Sequence, residues 1–228
     1  MVVILFLILL LPPVAWAGDV FHGYNAYYRY IGLPYFDPAY LMKANVLDEY
    51  QHGLRVRWRG VVHGRNREVV VKSGRFFVDG KALADSAISS FAGEAVNAGD
   101  LGRNTEVVSA GNLVCFQDTA SSASGSAVRH KAVYLVIVGA RVKVFKLPSL
   151  FASCLGVLRK NNELKFLKAK YRFQSGSDIA VGVVFESYLL AHDLTYSKDG
   201  IQYYVKFIDP EDVYKFVDMS SGNDGLSN

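Results

Sequence analysis

The side chains that could do chemistry are few and scattered. Five histidines (His22, His52, His63, His130 and His192) and two cysteines (Cys115 and Cys154) stand among 21 acidic residues. No two histidines have the H-x-H or H-x-x-x-H spacing that puts two imidazoles on one face, as a zinc site needs. His192 and Asp193 are adjacent, but neighbours on a strand point to opposite faces. The chain carries no G-x-S-x-G elbow, no phosphate-binding G-x-x-x-x-G-K-[ST] and no G-x-G-x-x-G. A thiol nucleophile at Cys154 would need a histidine delivered by the fold. A catalytic carboxylate pair would also have to be assembled in space, and no acid stands out. The residues thus predict no catalytic group, no metal and no cofactor.

Two cysteines in an exported chain instead favour a disulfide, Cys115 to Cys154. Closing that long loop contributes roughly 3–4 kcal/mol in the chain-entropy account. Export is expected from the first 17 residues. Val2 to Leu11 is unbroken and apolar, Pro12-Pro13 interrupts it, and Ala15-Trp16-Ala17 is an A-x-A cleavage site that would leave Gly18 first. No Lys or Arg precedes the apolar run, which departs from the usual pattern. The run is short for a membrane span, and no other stretch approaches spanning length, so no transmembrane helix is expected in the mature chain.

Binding is the remaining chemistry, and charge carries it. Net charge is +4, but unevenly spread. Residues 128–173 hold eleven bases and one acid, residues 51–81 eight bases and two acids, and residues 174–228 three bases and nine acids. In Leu54 to Val62, Arg55, Arg57 and Arg59 alternate with Val56 and Trp58, which puts the arginines on one strand face. Lys168, Lys170 and Arg172 alternate with Ala169, Tyr171 and Phe173 in the same way. These six cations are the candidate partner-binding residues, for an acidic protein or an anionic envelope component. A plain solvated face, or neutralisation by the acidic C-terminal part, would give the same pattern. Export argues against nucleic acid as the partner. Seven tyrosines between residues 18 and 51 either form an aromatic binding surface or pack over the edge of the core.

The elements that must position these residues are mostly strands. Val133 to Val138 is apolar on both faces, as in a central strand covered on two sides. Cys154 to Arg159 and Leu164 to Phe173 read as a hairpin turning near Lys160-Asn161-Asn162-Glu163, with a bulge at Phe166-Leu167 where alternation fails. Turns are expected at His63-Gly64-Arg65-Asn66, with Arg67 to Val71 returning as the partner strand, and at Asp79-Gly80. The spacing of Leu83, Ala87, Ile88, Phe91, Ala95 and Val96 predicts an amphipathic helix over 83–97. Asp209-Pro210-Glu211 predicts the start of a short C-terminal helix over 210–218. The fold expected is α+β, with a mainly antiparallel sheet. Residues 18–218 are expected to form one β-rich domain, with the Ser/Ala/Gly stretch 119–127 as the candidate boundary between two lobes, and 219–228 a disordered tail. The function expected is an exported, non-enzymatic binding protein of the inhibitor or immunity type that masks a partner protein. An exported hydrolase of envelope polymers and a structural envelope component are the alternatives.

Overall fold

The computed structural model describes residues 19–49, 53–119, 125–161 and 163–220, so the N-terminal apolar segment and the tail beyond Ser220 lie outside the described residues. The chain is β-rich and almost wholly antiparallel. Its strands form three sheets of five, six and seven strands. Among the described residues no helix is long and apolar enough to cross a membrane.

The five-stranded sheet is a meander of Asn45–Glu49, Gly53–Val62, Arg65–Lys72, Arg75–Val78 and Lys81–Ala82. Its turns explain its regularity. His63-Gly64, Ser73-Gly74 and Asp79-Gly80 each place two successive residues at positive φ, from 49° to 79°. That geometry matches the strand twist and favours glycine second. Val56, Trp58, Val62, Val69, Val71, Phe76 and Val78 point inward.

They meet one face of the six-stranded sheet, ordered Met42–Lys43, Glu106–Ala110, Leu113–Thr119, Lys131–Val138, Val142–Lys146 and Ile88–Ser90. Alternation splits this middle sheet between two cores. Val114, Phe116, Tyr134 and Val136 face the five-stranded sheet. Leu113, Cys115, Val133 and Leu135 face the other way. Lys131–Val138 is therefore covered on both sides, as its unbroken apolar run predicts. The segment 119–127 connects Leu113–Thr119 to Lys131–Val138, which pair directly.

The seven-stranded sheet runs Val20–His22, Asp212–Asp218, Tyr196–Asp209, Ala180–Leu190, Glu163–Phe173, Leu158–Lys160 and Leu33–Pro34. Its first and last strands come from one short N-terminal stretch, and helix Tyr24–Ile31 connects them. Its two faces are buried at different places. Phe166, Tyr188 and Leu190 pack toward the middle sheet. Ala169, Val183, Phe185, Val205 and Phe207 pack with the helix residues Tyr24, Tyr27 and Tyr28. Pairing from Leu164↔Leu190 to Arg172↔Gly182 is unbroken. The failed alternation at Phe166-Leu167 is thus no bulge; it marks where the strand exchanges its buried face. The irregularity falls at Arg172/Phe173 instead.

Two helix expectations are corrected. Residues 83–97 form a 3₁₀ turn at Asp85–Ala87, a strand at Ile88–Ser90 and a loop. Ile88–Ser90 pairs in parallel with Val144–Lys146, and that ladder overrides a helical spacing already weakened by Ser89, Ser90 and Gly93. Residues 212–218 form the last long strand. Asp209 pairs with Asp212 across Pro210-Glu211, and the Asp209 carboxylate accepts a hydrogen bond from the Glu211 amide. Asp-Pro-Glu suits a tight turn as well as a helix start. The α-helix among the described residues lies at Tyr24–Ile31, where Tyr24, Tyr27 and Tyr28 are buried.

Candidate functional site

The arginine face is built by strand alternation alone. Val56 and Trp58 are buried against the middle sheet, so Arg55, Arg57 and Arg59 stand on the outward face. Cross-strand register then extends the charge. Leu47 pairs with Arg55, Arg55 with Lys72, and Lys72 with Arg75, which sets three cations side by side across three strands. One strand position away, Arg57 pairs with Val70, and Arg59 with Glu68. The Glu68 carboxylate accepts from Arg59 Nε at 2.8 Å and lies 3.9 Å from Arg57. Asp79 accepts from Arg67 Nε and from the Glu68 amide. The Arg59 side chain remains 66% exposed. Val61 is 64% exposed on the same face.

The second predicted set sits elsewhere. Lys168, Lys170 and Arg172 belong to the seven-stranded sheet, which packs on the opposite side of the middle sheet from the arginine face. The three cations differ in their surroundings. Lys168 Nζ lies 5.0 Å from the centroid of the Phe91 ring. Lys170 bridges Glu186 at 2.9 Å, and Lys198 reaches the same carboxylate at 3.2 Å. Arg172 is exposed and makes no ion pair among the described residues. The acidic C-terminal part therefore neutralises the basic strand in part, by lying beside it in register.

Two carboxyls show how that neutralisation works. Burial would push Glu186 up, but hydrogen bonds from Lys170, Lys198 and Tyr188 hold it below its ordinary value. Asp199 is also held low. The rise expected from burial is outweighed by the Ser187 hydroxyl, the Ile201 amide, Lys165 and Lys160. Lys165 is buried and donates to the Tyr203 hydroxyl at 2.6 Å.

The tyrosine-rich segment divides. Tyr24 donates to the Val213 carbonyl, Tyr27 to Asp218 and Tyr28 to the Phe151 carbonyl. Burial raises the pKa of all three phenols well above the usual value. These three are core residues, whereas Tyr30 and Tyr40 are exposed.

Cys115 and Cys154 are bonded, so neither is a free thiol. The bond ties a middle-sheet strand to a 3₁₀ turn, Cys154–Gly156, in the connection leading to the seven-stranded sheet. His130 meets Ser149 at 2.9 Å and His63 occupies a turn. Among the described residues no three His, Cys, Asp or Glu gather where a metal ion could be held.

Sequence reasoning missed Lys206. It pairs with Gly182, which pairs with Arg172, and all three belong to one cross-strand row. The alternation of Tyr204 and Lys206 with Val205 and Phe207 was a usable signal. Its alignment with Arg172 depends on two strand registers that composition does not reveal. No family model, curated protein or solved structure matches the chain.

Proposed function

We propose that this is an exported, non-enzymatic binding protein that masks an acidic surface on a partner protein, in the manner of an inhibitor or immunity protein. The observation that carries the reading is the exposure of Arg59 and Arg75 on the outward face of the five-stranded sheet, whose strands also bring Arg55 and Lys72 into one cross-strand row. Exposed Val61 and Leu47 flank the cations and supply apolar contact. Arginine's planar fork suits a partner's carboxylates. The disulfide supports an oxidising compartment, which export would provide.

The test is capture of partner from native extract with the mature chain and with a triple variant, Arg55→Glu, Arg57→Glu and Arg59→Glu. The expected result is one stoichiometric protein held by the wild type and lost by the variant, with equal thermal unfolding for the two chains. Undiminished capture by a folded variant overturns the assignment.

A further inference from the structure

The outer part of the seven-stranded sheet carries a concavity unrelated to the arginine face. It has a volume of about 390 Å³ and is lined by Arg172, Phe173, Val181, Tyr204, Lys206 and Met219, with Gln174, Ser175 and Val205 completing the wall. That volume lies within the range of small-molecule sites.

Its charge arrangement follows from register. Arg172 and Lys206 flank Gly182 on the two neighbouring strands. Their Cα atoms are therefore roughly 10 Å apart, twice the strand spacing. The residue between the cations has no side chain. A Cβ at 182 would collide with the carbonyl oxygen of Val205, so the gap cannot be filled without moving backbone. Two cations facing each other across such a gap can converge on one anionic group, with arginine offering a planar fork and lysine a point charge.

Among the described residues no acid lines the concavity. Asp218, opposite Val205 on the adjacent strand, accepts hydrogen bonds from the hydroxyls of Tyr27 and Ser220. Neither Arg172 nor Lys206 makes an ion pair among the described residues, and both are exposed. Beside the cations, Phe173 is 54% exposed and Met219 47%. Large apolar side chains next to two cations favour an anion with an apolar body over a bare inorganic ion.

We infer that this concavity binds a small organic anion, its carboxylate-type head between Arg172 and Lys206 and its apolar body against Phe173, Tyr204 and Met219. The site is separate from the proposed partner-masking face.

The experiment is a two-dimensional amide NMR titration of the oxidised protein with phenylacetate, using 2-phenylethanol and inorganic phosphate as controls. Phenylacetate is expected to shift amides near residues 172–175, 181–182, 204–206 and 219 in a saturable way. The double variant R172Q/K206Q, with an otherwise unchanged spectrum, is expected to bind at least tenfold more weakly. The neutral alcohol and phosphate should each bind at least tenfold more weakly to the wild type. No saturable shift with phenylacetate overturns the proposal. So does equal binding of 2-phenylethanol, which would make the site a mere apolar crevice, or equal binding of phosphate, which would make the apolar body irrelevant. Retention of phenylacetate by R172Q/K206Q overturns the assignment of the head-group contacts. An R55E/R57E/R59E chain should bind phenylacetate as the wild type does, so failure of the masking reading leaves this result distinct.

Discussion

The two outer sheets solve the same problem by different means. The five-stranded sheet is local. Each strand pairs with its neighbour in sequence, two-residue turns at His63-Gly64, Ser73-Gly74 and Asp79-Gly80 set the register, and one face packs on the middle sheet while the other carries the arginines. The seven-stranded sheet is non-local. Its edges are supplied from the N-terminal stretch, its strands are long and irregular in register, and its buried face changes along one strand. Charge follows the same division. On the local sheet cations gather on the outward face, whereas on the non-local sheet the carboxylates of Glu186 and Asp199 are each held by lysines. Regular alternation displays side chains outward; exchanged faces and irregular registers trap polar groups inside.

Substitutions can break or sharpen that contrast. The largest effect is expected at Phe185, which is fully buried and contacts the rings of Tyr24, Tyr27 and Tyr28. Phe185→Ala should cost about 3–5 kcal/mol in urea unfolding. A loss under about 1 kcal/mol would mean that the helix does not hold this sheet. Replacing both cysteines by alanine should cost roughly 3–4 kcal/mol, from reopening a loop whose ends are 39 residues apart. Equal denaturant midpoints for the two chains would dismiss that role.

Next come the trapped carboxyls. Asp199→Asn should cost about 1–3 kcal/mol at neutral pH, because Lys160 loses its ion pair and the buried Lys165 loses a neighbouring negative charge. Glu186 and Asp199 ionise more readily folded than unfolded, so the unfolded chain binds more protons in acid. Their contribution is full above their ordinary values of 4.5 and 3.8 and is lost as pH falls through the lower folded values. A stability profile from pH 6 down to 2 should therefore be flatter in D199N than in wild type.

The smallest effects belong to the local sheet. Gly80→Ala, at φ +79°, should cost about 1 kcal/mol. Arg59→Ala removes an exposed pair with Glu68 and should cost under about 1 kcal/mol. If Arg59→Ala matched Asp199→Asn, the distinction between displayed and trapped charge would collapse.

The contrast also explains what could be read from the chain. His63-Gly64 and Asp79-Gly80 announce their turns, although Arg65 and Asn66, expected in the first turn, already open the next strand, and Arg55, Arg57 and Arg59 announce their face, because both signals are local. Val133 to Val138 announces its double burial through composition alone. Helix Tyr24–Ile31 left a usable trace, since Tyr24, Tyr27, Tyr28 and Ile31 follow helical spacing. Tyrosine's strand preference obscured it. Residues 83–97 misled for the opposite reason: a helical spacing lay beside a strand that accepted a parallel partner. Neither the exchange of buried faces at Phe166-Leu167 nor the Arg172, Gly182 and Lys206 row follows from any one segment, because each depends on pairings fixed by contacts far along the chain.

The N-terminal helix has a consequence for the order of folding. Tyr24 donates to a carbonyl 189 residues later, and Tyr27 to a carboxylate 191 residues later. Strand Val20–His22 pairs with Asp212–Asp218. The earliest described residues to be synthesised thus find their partners among the last. Until then three tyrosines and an unpaired edge strand stay uncovered, whereas the five-stranded meander can close as it emerges. Folding should therefore begin in the meander and finish, on a slower step set by long-range closure, when the last strand seats the first helix.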